Sequence, residues 1–190
     1  MMHRPARRKA TQRGQAIIEV AIATPVLIGL LLGAFNVAVL ISDKVVAGYA
    51  VRQGARLAAE EGGTDTNPLP ATTASIDQDI VKNVLAVAQA MNYSTLLDIY
   101  IYRADAAALP SGDISDPPAA GVHYNRYNGV SGAQVGALGF PISERSQIPP
   151  NETSIGVKLI WTFAPPTGTF TFTIRLSEYA VMRAAPVLLT

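Results

Sequence analysis

Cysteine is absent from this chain, and histidine occurs only twice, at His3 and His123. The first absence excludes disulfides, Cys-ligated zinc and thiol nucleophiles, and the second excludes a His-rich metal site. Charge is sparse, at 15% Asp, Glu, Lys and Arg, and it is unevenly spread. Five basic residues, Arg4, Arg7, Arg8, Lys9 and Arg13, precede Gly14 with no acidic residue among them. The remainder holds ten basic against fourteen acidic residues, a net of −4. An acidic remainder has no clustered basic face, so nucleic acid is excluded as a partner and the basic stretch is left to set topology.

Long apolar runs are also missing, with one exception. From Val20 to Ser42 there are 23 consecutive residues without a formal charge, closed by Asp43-Lys44. At about 1.5 Å per residue they span roughly 35 Å as a helix, enough to cross a hydrocarbon core of about 30 Å. The run is too long for the h-region of an ordinary secretory signal, which predicts a stable anchor rather than a cleaved one. The basic residues all lie on its N-terminal side, so the positive-inside rule predicts a cytoplasmic N-terminus and an exported remainder. The lipid bilayer is thus the first expected partner. The 148 residues from Asp43 onward fit one domain.

A carboxylate at the edge of that run requires a reason. Glu19 lies five residues after Gly14. If the chain is cut after Gly14, Gln15 acquires a free α-amine four residues from Glu19. Residues four apart share a helix face, so the ammonium and the carboxylate can pair within one chain or between neighbours. That pairing offsets part of the cost of a charge near the membrane, about 2.5–3.5 kcal/mol at a helix centre and less at the interface. A basic leader, a glycine, four residues, a glutamate and an apolar helix form the substrate pattern of prepilin peptidases.

Arg13-Gly14-Gln15-Ala16-Ile17-Ile18-Glu19-Val20-Ala21, followed by Thr24-Pro25-Val26-Leu27, resembles the start of TadE-like pseudopilins of the tight-adherence (Flp, type IVc) pilus system. Ala50-Val51-Arg52-Gln53-Gly54-Ala55-Arg56-Leu57-Ala58-Ala59 is similar to that family's second characteristic stretch, with Pro25, Gly54, Ala55 and Arg56 as motif positions. The resemblance implies processing between Gly14 and Gln15 by a prepilin peptidase. It also implies a minor pilin-like role beside other pilins or pseudopilins and the inner-membrane assembly platform, with Glu19 as the helix-docking residue.

Within the run, Pro25 removes a helical N–H and predicts a bend near residues 21–25. Gly29 and Gly33 form a G-x-x-x-G pair, and Asn36 is a strongly polar side chain deep in the run, so these three are the expected helix–helix contacts. Beyond Asp43, the steps Val46, Tyr49, Ala50, Gln53 and Leu57 predict that the helix continues, with Arg52, Arg56 and Glu60 on its polar face. Gly62-Gly63 predicts its end. One helix from about Ala16 to Glu61 would be roughly 69 Å long.

Ser75-Ile76-Asp77-Gln78 reads as a capping box with Ser75 as N-cap, opening a second helix through about Asn92. Residues 97–103 alternate as a strand. Ser154 to Ala164 and then Phe170, Phe172, Ile174 and Leu176 alternate around a Pro165-Pro166-Thr167-Gly168 turn, which predicts a hairpin. The two helices are expected to cover the apolar sheet face. Residues 104–152 carry one short strand signal, Val122 to Tyr127, in a long exposed loop suited to partner recognition. The expected fold is therefore α+β. A leader (1–14) is followed by a long transmembrane helix (15–61) that continues into an exported domain (62–190) with a second helix and a small antiparallel sheet.

Catalytic chemistry is poorly provided for. Gly129-Val130-Ser131-Gly132-Ala133 misses G-x-S-x-G at its last position and lacks a strand-to-helix setting. Asp105, Asp113 and Asp116 lack EF-hand spacing, and no glycine pattern marks a nucleotide site. Neither a cofactor, a metal nor a catalytic residue is expected. The reading is a non-enzymatic pseudopilin of the bacterial inner membrane, with incorporation in the pilus left open. The alternative is a membrane-anchored extracytoplasmic ligand-binding module or enzyme.

Overall fold

The computed structural model describes residues 8–61, 63, 72–105, 109, 111–168 and 172–185, with side chains from Gly14 onward. Helix α1 runs without interruption from Arg8 to Glu61, 54 residues with Pro25 inside it. At about 1.5 Å per residue it is roughly 81 Å long. Thr24 Oγ1 donates to the carbonyl of Val20 at 2.6 Å, just before the turn where Pro25 supplies no N–H. Among the described residues this is the one helix long and apolar enough to cross a membrane. Its Gly14–Leu31 portion is exposed on every side, and burial begins around Leu32.

Helix α2 spans Thr73–Ala88. Its cap is Thr72 rather than Ser75. The Thr72 hydroxyl accepts from Ser75 N at 3.2 Å, and Ser75 Oγ accepts from Thr72 N at 3.1 Å, a reciprocal box one turn earlier than the sequence suggested. Serine at the third position does what Glu or Gln usually does there. The helix stops at Ala88, short of Asn92: the Ala90 and Met91 N–H groups close tight turns onto the carbonyls of Val87 and Ala88, and those of Asn92 and Tyr93 turn to the Asp43 carboxylate of α1.

Five strands form one antiparallel sheet in the order β3-β2-β1-β4-β5: β1 Ser94–Arg103, β2 Tyr124–Asn128, β3 Gln134–Val135, β4 Ser154–Phe163 and β5 Ile174–Arg183. The expected β4–β5 hairpin is present, with Phe163 opposite Ile174. Phe172 lies outside the strand, Phe170 falls outside the described residues, and β5 continues seven residues past Leu176. Inward residues Leu176, Glu178, Ala180 and Met182 mix charge with apolar groups, and the outward Tyr179 and Val181 are also apolar. That mixture hides the alternation.

Both helices lie on one sheet face. Ile155, Val157, Leu159, Trp161 and Phe163 of β4 pack with Ile99, Ile101 and Tyr127 against Ile80, Val81 and Val84 of α2 and the alanines of α1. On the opposite face Tyr100, Tyr102 and Ile160 are covered by Leu109, Ile114 and Val122. Within the stretch expected to be an exposed loop, the described residues 104, 109, 114 and 122 are therefore packed onto the sheet, with exposed residues between them. This packing is fixed by Tyr102 Oη donating to the Gly112 carbonyl at 2.5 Å, and by buried Lys158 reaching the Asp113 carboxylate at 3.0 Å. Burial, followed by the Asp113 charge, drives the Tyr102 hydroxyl far above its ordinary pKa.

Candidate functional site

The candidate site is α1 itself, read from its N-terminal end toward the sheet. Gln15 and Glu19 occupy one exposed face, and the Gln15 amide donates to Glu19 Oε1 at 3.3 Å. Spacing of four residues on an unbroken helix produces this contact. It also places the Gln15 backbone nitrogen one turn before the carboxylate. Gly14 lies in the same helix, and nothing approaches within 4 Å of the position a Cβ would take on Gly14, Gly29 or Gly33.

Gly29, Gly33 and Asn36 fall along one face at steps of four and three residues. The same face continues through Leu40, Asp43, Ala47, Ala50, Gly54 and Ala58. From Asn36 onward this face meets the domain, with Ala47, Ala50, Ala55 and Ala58 fully buried against the sheet and α2. Of the expected stripe Val46, Tyr49, Ala50, Gln53 and Leu57, Ala50 lies on this face and is fully buried, whereas Val46, Gln53 and Leu57 flank it half-buried and Tyr49 is half exposed. The physical reason is size. Small residues let α2 and β4 approach the helix axis, and the larger side chains flank that contact.

Gly54 shows how close the approach is. A Cβ there would lie 2.4 Å from Cγ2 of Val84 and 3.4 Å from Cγ1 of Val157. Ala55 beside it is buried, whereas Arg56 is exposed and donates to Glu60 at 2.8 Å. That hydrogen bond and the Glu60 charge hold the Arg56 guanidinium above its ordinary pKa. At the end of the helix, Gly63 is buried against Gln147, and Gly62 falls outside the described residues.

Two polar residues of the inward face dock the helix to the domain. The Asn36 amide donates to Thr167 Oγ1 in the β4–β5 turn at 2.9 Å. The buried Asp43 carboxylate accepts from Ser94 Oγ at 2.6 Å and from the N–H groups of Asn92 and Tyr93 at 3.4 Å. Asp43 reads in sequence as the charge that closes the apolar run. Its position seven residues after Asn36 and four before Ala47 is the signal that it faces inward.

A second polar centre holds the far end of α2. Asp77 and Arg145 are completely buried and paired at 2.7 Å. Asp77 also accepts from Asn125 Nδ2 at 2.7 Å and from Tyr127 Oη at 2.8 Å. Arg145 donates to the Phe140 carbonyl at 2.9 Å and lies 4.7 Å from that residue's ring centroid. Burial and the Asp77 charge push the Tyr127 hydroxyl far above its usual pKa. This network anchors the 129–152 segment, whose Phe140, Arg145 and Gln147 are all fully buried.

The acidic residues weighed for a cation are separated. Asp105 pairs with Arg103 at 2.7 Å, Asp113 with Lys158 at 3.0 Å, and Asp116 with Arg175. Among the described residues there is no group of three His, Asp or Glu side chains placed to hold a metal. His123 contacts Glu144 at the surface. Ser131 lies in a turn whose Val130 and Ser131 N–H groups both donate to Asn128 Oδ1 at 2.9 Å, a loop between two strands.

Residues 14–56 match the sequence model of the family described as TadE-like protein. The match covers most of α1 and contains Gly14, Glu19, Pro25, Asn36, Asp43 and Gly54. The resemblance read from residues 13–61 is therefore shown over this helix. No curated protein and no solved structure matches the chain.

Proposed function

We propose that this chain, tied to the tight-adherence pilus system by its TadE-like first helix, acts there as a minor pseudopilin. The basic leader holds the N-terminus in the cytoplasm, and a prepilin peptidase cuts between Gly14 and Gln15. The new Gln15 ammonium then lies one helical turn from Glu19. The pair docks against the first helix of a neighbouring pilin or pseudopilin, at the assembly platform of the inner membrane. The small-residue face through Gly29 and Gly33 gives that neighbour room to approach. The domain beyond Asp43 stays extracytoplasmic and primes or regulates assembly of the major pilin.

The observation that supports this reading is that Gln15 and Glu19 share one exposed helix face, the Gln15 side-chain amide 3.3 Å from Glu19 Oε1, at the start of the one apolar span among the described residues. The test is Glu19→Ala in cells that make the remaining pilus proteins. The variant is expected to be processed normally and to lose cross-linking to other pilins. Unchanged cross-linking would overturn the docking role.

A further inference from the structure

The pole of the domain that faces back along α1 carries no formal charge in any of its connections. Residues 89–93, which join α2 to β1, are uncharged, as are 129–133 between β2 and β3 and 164–173 between β4 and β5. The first charges above this pole are Asp43, buried and hydrogen-bonded to Asn92, Tyr93 and Ser94, and Lys44, Asp98 and Arg175, which are ion-paired to Glu178, Arg126 and Asp116 respectively. The opposite pole, by contrast, displays Arg103, Asp105, Glu152 and Arg183.

The level of this pole along the helix can be fixed. With the Glu19 carboxylate kept out of hydrocarbon, an apolar core of about 30 Å takes about 20 residues, from Val20 to Val39. Thr167 is bonded to Asn36, three residues short of that limit and so about 4.5 Å inside it. Asn92 and Tyr93 are bonded to Asp43, four residues past the limit and about 6 Å outside, which is headgroup depth. Tilting the helix lengthens the buried stretch and moves both deeper. Phe172, half exposed, and Pro165 and Pro166 lie on the same turn as Thr167, and Tyr93 is 44% exposed.

We infer that this pole is a membrane-docking surface, in which Pro165, Pro166, Thr167 and Phe172 enter the acyl boundary of the adjacent leaflet and Tyr93 sits among the headgroups. The occupant is the lipid of the same bilayer that α1 spans. Continuity with the span selects it, because the Asn36–Thr167 bond cannot form with the turn in bulk water while Asn36 remains in hydrocarbon. Aromatic side chains at the interface and an absence of charge are the chemistry such a surface requires. The domain then rests on the membrane through two elements, and leaving the bilayer during assembly exposes both.

The inference rests on α1 being the membrane anchor, and one experiment separates the two. Because the chain has no cysteine, single spin labels can be placed on the full protein in phosphatidylcholine–phosphatidylglycerol vesicles at Phe172→Cys, Tyr93→Cys, Leu27→Cys and Asn151→Cys. The ratio of collision with lipid-dissolved oxygen to collision with aqueous nickel chelate is expected to be highest at 27. It should be several-fold above the 151 value at 172 and intermediate at 93. A label at 27 in lipid with 172 matching 151 overturns the docking surface and leaves the anchor standing. Low collision with both reagents at 172 also overturns it, by showing protein contact there. Aqueous exposure at 27 removes the anchor, and the inference with it.

Discussion

Replacing Asp77 by alanine should be the most damaging single change in the domain. Asp77 and Arg145 have no solvent exposure, so water cannot screen or replace the lost partner. The Asp77 carboxylate takes four donors, two from Arg145 at 2.7 and 3.1 Å and one each from Asn125 and Tyr127. Without it the guanidinium keeps only the Phe140 carbonyl and ring, and the Tyr127 hydroxyl is left buried with no acceptor there. Removing one member of a buried pair costs about 3–5 kcal/mol, and an orphaned hydroxyl about 1–3 kcal/mol more. Against a total stability of about 5–15 kcal/mol, that loss is enough to unfold much of the population. The single tryptophan, Trp161, is fully buried and provides the readout in urea titrations of the detergent-solubilised chain. Replacing the whole network with apolar groups, as Asp77→Leu, Arg145→Met and Tyr127→Phe together, should recover most of the loss, because a buried ion pair is rarely better than well-packed side chains. A loss below about 1 kcal/mol for the single change, or a triple variant as weak as the single, would refute the reasoning.

Other outcomes follow from the packing. Gly54→Val should destabilise by about 1–3 kcal/mol or more through overlap with Val84, and Val84→Ala in the same chain should recover part of it, measured by the same titration. Asp43→Ala should cost about 1–3 kcal/mol and speed amide exchange at Asn92, Tyr93 and Ser94 while α2 stays protected, as read by hydrogen-exchange mass spectrometry. Burial raises the pKa of Tyr102 and Tyr127 in the folded chain above the ordinary value of 10.0. Their contribution to stability is therefore complete below about pH 10 and is lost as pH rises past it, because the unfolded chain releases those protons first. Denaturation midpoints between pH 8 and 12 should fall at the alkaline end, and less steeply in Tyr102→Phe.

The sequence made the long features legible and the small residues misleading. The charge-free run, the Gly14–Glu19 spacing and the regular alternation of β4 each depend on a period that survives in one dimension, so α1, the hairpin and the helix-covered sheet face were all readable. The inward stripe of α1 was legible at Ala50 and missed at Ala47, Gly54 and Ala58, whose role is close approach and not bulk. Leu109, Ile114 and Val122 were read as part of an exposed loop because they are isolated anchors without a period. Ser75 was assigned the cap because Thr72-x-x-Ser75 closes its box with an unusual third residue. Asp43 was legible only as the end of an apolar run, since a buried carboxylate is identified by its donors at Asn92, Tyr93 and Ser94, 49 to 51 residues away.

In the proposed function, the pairing of a new amine with Glu19 is the step from which assembly follows, and the N-terminus of the mature chain tests that proposal most directly. Protein made together with its cognate prepilin peptidase should give an intact mass and a terminal sequence beginning at Gln15. A mature chain that still carries Arg13-Gly14 at or near its start would leave Glu19 without the ammonium one turn away, and would contradict the account.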